Sequence, residues 1–218
     1  MSRTLNIGLA LALAAAVVVA WAPVAAAQNA AHNHIGHVMD RWNDTPEMVG
    51  LLPAAIAEAE IAARHASLAA KDPSNLDAIK LHTAHVLHAV DPTQIDGGPG
   101  QGYGVRQGAE GAAKHIMAAA NSDGASGAVK AHAEHVAASA QNTVSRADEI
   151  VMLAQKIAMS DSAADASSLV AELNTLAQAL LGGVDANGDG SVGWQTGEGG
   201  LEVAQTHANL MKQAEGLQ

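Results

Sequence analysis

The chain has no cysteine and no phenylalanine, and aromatic residues make up only 2% of it. Without cysteine there are no disulfides, no thiolate metal sites, no iron–sulfur cluster and no covalent c-type haem attachment. Without phenylalanine the core must come from alanine, leucine, valine, isoleucine and methionine. Side chains this small suit helices that approach closely. No stretch alternates between apolar and polar with a period of two, so no sheet is expected. Positive charge is scarce: 11 basic residues face 22 acidic ones, a formal net charge of −11. That balance disfavours nucleic acid and anionic membrane surfaces as partners.

The first 27 residues read as a secretory signal peptide. Arg3 supplies the positive end, Leu9 to Ala20 is a short apolar run, and Ala25-Ala26-Ala27 offers small residues for cleavage. The expectation is an exported chain, periplasmic or secreted, with no membrane insertion after cleavage. Residues 28–218 then form a single His-rich domain, long enough for a core.

Helix punctuation divides that domain. A short helix is expected from about His34, with Asn33 as its cap, and Thr45-Pro46-Glu47 reads as a further start. Pro53 to Ala70 is an Ala-rich helix stopped by Asp72-Pro73. Ser74 and Asp77 form an approximate capping box for the next helix, which runs to about Val90. Asp96 to Gly104 is a Gly-rich loop. Helices follow over about Val105–Ala120 and Ala125–Met159. Another begins at Asp161 or Ser162 and ends at Leu181-Gly182-Gly183, and a last one runs from Leu201 to Glu215.

Eleven histidines stand in this chain, and nine of them fall into a repeat. Lys80-Leu81-His82-Thr83-Ala84-His85-Val86 recurs fifty residues later as Lys130-Ala131-His132-Ala133-Glu134-His135-Val136. The same shift carries Glu60 to His65 onto Glu110 to His115. A weaker third copy is split between the ends: His34-Ile35-Gly36-His37-Val38 matches the His-x-x-His-Val pattern, and Glu202 to His207 matches Glu60 to His65. The fold expected is an all-α bundle built from a duplicated helical hairpin, with a third copy closing the chain on itself.

Two histidines three apart on one helix lie on nearly the same face. His65 and His82 are about equally distant from their turn, so they sit level across an antiparallel hairpin. His65, His82 and His85 are thus expected to converge. By the same argument His115 should join His132 and His135, and His34 and His37 should join His207. Three neutral imidazoles suit Cu, Zn, Ni or Fe(II), and three ligands leave a coordination position open. Glu60, Glu110 and Glu202 lie about 140° around the helix from their histidines and are not expected as ligands. Glu134 faces away for the same reason. No Glu-x-x-His pair of the di-iron type is present in the repeats. His88 continues the spacing of His82 and His85 as an extra donor, and His32 with His34 offers a loose further site. Haem b is disfavoured, because two histidines three apart on one helix cannot be the two axial ligands of one haem.

Asp185-Ala186-Asn187-Gly188-Asp189-Gly190-Ser191-Val192-Gly193 resembles the first nine positions of an EF-hand or dockerin-type calcium loop. The resemblance implies side-chain oxygens from Asp185, Asn187 and Asp189, a sharp turn at Gly190 and the carbonyl of Ser191. At position twelve, where the family has a bidentate Glu, this chain has Thr196; Glu198 comes two places late. A structural calcium ion within 185–198 is what the resemblance implies.

The functional expectation is an exported metal-binding protein that stores, buffers or delivers a transition metal, with a metal donor or acceptor protein as partner. The alternative is a periplasmic metalloenzyme or a redox or haem-binding bundle. No nucleophile–base pair accompanies the histidines, so binding ranks above catalysis.

Overall fold

The structure is a computed structural model that describes the backbone from residue 22 onward and side chains from residue 30. The apolar run of the expected signal peptide lies outside the described residues. Among the described residues there are seven α-helices and no strand: α1 (Ala22–Met39), α2 (Leu51–Ala70), α3 (Leu76–Val90), α4 (Val105–Ala120), α5 (Gly127–Ala158), α6 (Ala163–Gly182) and α7 (Leu201–Ala214). None is long and apolar enough to cross a membrane.

The helix boundaries follow local chemistry. Asn75, not Ser74, caps α3: its side chain accepts from the N–H of Ala78, while Ser74 bonds to Asp72. Ser126 caps α5 and Ser162 caps α6 in the same way. Gly183, with φ of 77°, ends α6 in a left-handed conformation that suits glycine. Asn33 caps nothing, because it lies inside α1. Thr45-Pro46-Glu47 opens only a single 3-10 turn, Pro46–Met48.

The bundle is organised around α5, the longest helix at 32 residues. It packs against α3, α4, α6 and α7, while α2 packs against α3, α4 and α6. The core is built largely from alanine, including Ala54, Ala55, Ala59, Ala62, Ala66, Ala112, Ala133 and Ala140, with Ile, Leu and Val between them. Glycine lets α4 lie directly on α2. A Cβ on Gly108 would come within 2.8 Å of the Ala55 methyl, and one on Gly111 within 2.8 Å of Leu51.

Two buried side chains brace the long loops. Glu58 of α2 is fully buried, and its Oε1 accepts from the N–H groups of Gln101, Tyr103 and Gly104. Arg146 of α5 donates to the carbonyls of Ala179, Gly197, Glu198 and Gly199. Each side chain thereby supplies hydrogen-bond partners to the backbone of a loop, which a buried loop requires. The Tyr103 hydroxyl donates to Asp44 at 3.0 Å, and burial pushes its pKa up to about 12.

Candidate metal centres

Nine half-buried histidines gather into three groups of three: His65 with His82 and His85, His34 with His37 and His115, and His132 with His135 and His207. Each group joins a His-x-x-His pair on one helix to a solitary histidine on another. The pairs are on α1, α3 and α5; the solitary residues are on α4, α2 and α7. Buried apolar neighbours fix each helix face, among them Ile35 and Val38, Ala66, Val86, Ile116, Val136 and Ala208.

The first expected triad is found as the spacing predicts. The other two are exchanged. His115 does not meet His132 and His135; it meets His34 and His37 on α1. His207 does not meet His34 and His37; it meets His132 and His135 on α5. The hairpin argument fixes height along the bundle but not rotation about the helix axis. Gly108 turns its face of α4 onto α2, and His115, seven residues later, shares that face. Its ring meets α1 and not the histidines of α5. On α5, residues His132, His135, Ser139, Asn142 and Arg146 follow a 3-4-3-4 spacing and form one stripe. Asn142 bonds to Gln195 and Gly197, Arg146 binds Gly197 to Gly199, and Ser139 lies against Gly199. The stripe faces the loop before α7, and its two histidines face α7 itself.

The expected pairing of α1 with α7 around a third site is likewise corrected. These helices meet at their edges through Lys212 and Asp40, 2.6 Å apart, and through His32 and Glu215, 2.8 Å apart. Ser126 Oγ donates to the other Glu215 oxygen, joining the start of α5 to this contact. His32 is thus engaged with a carboxylate and adds no site with His34. His88 is not a further donor to the first triad: it is buried, with Nδ1 3.0 Å from the carbonyl of Pro99. Glu60, Glu110, Glu134 and Glu202 are exposed and belong to no triad, as their helical phase requires.

The same ring atom points inward in all three centres. The solitary Nδ1 lies 3.1 and 3.3 Å from its two partners in the His65 triad, 3.1 and 3.3 Å in the His115 triad, and 3.2 and 3.3 Å in the His207 triad. Three imidazole nitrogens bound tetrahedrally at the usual zinc distance are separated by about 3.3 Å. A neutral Nδ1 can give or take one proton, so it cannot satisfy two such neighbours at once. A cation among the three nitrogens satisfies all of them. Burial, followed by the neighbouring histidines, holds the pKa of His37, His65, His85, His115 and His207 below the ordinary imidazole value. His135 is lowered in the same way, by burial first. Neutral imidazole is the form that ligates metal.

Two tryptophans that composition alone gave no reason to single out lie against the centres. The Trp42 ring is 4.5 Å from that of His115 and 4.9 Å from that of His37. Trp194 stacks on His135 at 4.1 Å, with 21° between the planes.

The Asp185 loop is exposed from Asp185 to Val192, Gly193 and Trp194 are half-buried, and Glu198 is buried. Asp185 accepts from the N–H groups of Gly188, Asp189 and Gly190, Asn187 from Asp189, and Asp189 from Ser191. Glu198 Oε2 accepts from the N–H of Gly193 at 2.8 Å.

Comparison of the chain with protein-family models, with curated proteins and with solved structures found no match in any of the three.

Proposed function

We propose that this is an exported protein that binds three transition-metal ions, one at each triad, and stores, buffers or delivers them. The observation that carries this reading is the triple recurrence of one arrangement: three convergent Nδ1 atoms at tetrahedral spacing, assembled from different helix pairs. Core histidines that merely satisfied themselves would bond to carbonyls, as His88 does. The donor set fits Cu, Zn, Ni or Fe(II), because all three donors are imidazole nitrogens. It does not fit axial ligation of haem, whose two axial nitrogens stand about 4 Å apart across the iron on an Fe–N bond of ordinary length. Among the described residues no carboxylate joins a triad, which favours binding over the metalloenzyme alternative. A metal donor or acceptor protein is the partner this role requires.

The test is elemental analysis of the purified, metal-loaded chain. The expected stoichiometry is three ions, falling to two in His82→Ala. A chain that takes up no Cu, Zn, Ni or Fe would sink the reading.

A structural calcium ion in the 185–198 loop belongs to the same proposal and rests on its likeness to EF-hand loops. Added Ca2+ should raise the melting temperature, and Asp185→Ala should abolish the rise. An unchanged melting temperature in wild type would remove calcium from the reading.

A further inference from the structure

The triads share their ligand atoms but not their surroundings. Trp42 leans on two of the three ligand rings of the α1/α4 centre, and Trp194 stacks on one ligand of the α5/α7 centre. Among the described residues, no indole or phenol ring lies against His65, His82 or His85, whose only aromatic neighbours are one another.

The two indoles reach their places by unrelated routes, and both places are built. Trp42 lies in the short connection between α1 and α2. Its backbone N–H donates to the carbonyl of Val49, and its carbonyl accepts from the Thr45 hydroxyl, which also reaches the Val49 carbonyl. Glu47 and Met48 hold left-handed φ values of 56° and 57° to close this turn. Trp194 lies in the loop before α7, which Asn142 and Arg146 pin to α5. Glu198 reaches back to the N–H of Gly193, the residue before Trp194.

We propose that the centres form two classes: the α1/α4 and α5/α7 triads retain metal behind Trp42 and Trp194, and the α2/α3 triad is the exchange site. This rests on the metal reading of the triads. Metal leaves a three-ligand site by swinging a ligand away or by admitting an external ligand to the open position. An indole packed on an imidazole hinders both. It restricts the ring, so less ordering accompanies binding, and it excludes water and incoming ligands from its side. Its electron-rich face also favours a nearby cation. Such effects act mainly on dissociation rates. Among the described residues the α2/α3 centre has no such ring beside it.

The test uses the full chain loaded with three equivalents of Zn(II), stripped by excess chromophoric chelator while tryptophan fluorescence is recorded. One ion should leave rapidly and two at least tenfold more slowly, with the fluorescence change following only the slow ions. Trp42→Leu and Trp194→Leu should each move one ion into the fast phase, and the Trp→Phe variants should keep it slow. His82→Ala should delete the fast phase. The unaffected ions serve as internal controls for folding in each variant. Release of all three ions in one phase, rates unmoved by Trp→Leu, or loss of a slow ion in His82→Ala would overturn the assignment while leaving the triads as metal sites. A chain that binds no Zn(II) would overturn the triads themselves, and the two classes with them.

Discussion

The α2/α3 hairpin and the α4/α5 hairpin carry the same histidine pattern fifty residues apart, yet they use it differently. The first closes its own centre across a short turn, with ligands 17 and 20 residues apart in the chain. The second gives its histidines away, His115 to α1 at separations of 78 and 81 residues, and His132 and His135 to α7 at 75 and 72. A local centre costs little chain entropy to close. The longer closures cost about 1.3 kcal/mol more each on loop-length scaling. Metal bound at the α2/α3 triad would therefore tie one hairpin together, whereas metal at the other two would tie distant parts of the chain. The same sequence motif closes a local cluster in one place and long-range clusters in two others.

The sharpest way to break this comparison is through paired substitutions. His115→Ala with His34→Ala should cost one ion, because both belong to one centre. His115→Ala with His132→Ala should cost two. The hairpin-local pairing predicts the reverse, so metal stoichiometry of the two double variants decides between them. Loss of a ligand should weaken its centre by more than the roughly 10–100-fold typical of changes to outer-shell partners.

Next in size is Arg146→Ala. It removes a buried guanidinium and takes a donor from the carbonyls of Ala179 in α6 and of Gly197, Glu198 and Gly199 in the loop. A destabilisation of about 3 kcal/mol is expected in chemical denaturation. Metal affinity should fall at the α5/α7 centre, whose Trp194 loop it anchors, and hold at α2/α3. Equal weakening at all three centres would show that the long-range and local sites are not independent.

The smallest effect is the pH dependence of the metal-free chain. His37, His65, His85, His115, His135 and His207 have folded pKa values below the ordinary 6.5, with burial the largest cause. The unfolded chain then binds more protons just below pH 6.5, so stability falls as pH drops from 6.5 through the folded values and levels off beneath them. The melting temperature should be flat from pH 7.5 to 7 and decline toward pH 5. Bound metal should steepen the decline, because protons compete for the same Nδ1 atoms. A melting temperature that rises on acidification would contradict the assigned directions.

Much of this was readable from the chain. Helix ends followed from Ser162 and Gly183; six of the nine clustered histidines followed from a repeat that needs no gap, and the other three from a weaker copy split between the ends. Some further signals were present but easily passed over. The 3-4-3-4 stripe from His132 to Arg146 marks the face of α5 that turns to the last loop. Gly108, at the place where the first copy has Glu58, marks the face of α4 that lies on α2.

What the sequence determined by itself was the helical class, the histidines that cluster and the height of each along its helix. Those depend on backbone periodicity and on side-chain chemistry, which are local. The tertiary structure alone decided which helices face one another, and hence which solitary histidine completes which pair and which centres receive an indole. A helix offers several faces to its neighbours. Packing chooses among them: the glycines of α4 against α2, and the polar stripe of α5 against the last loop.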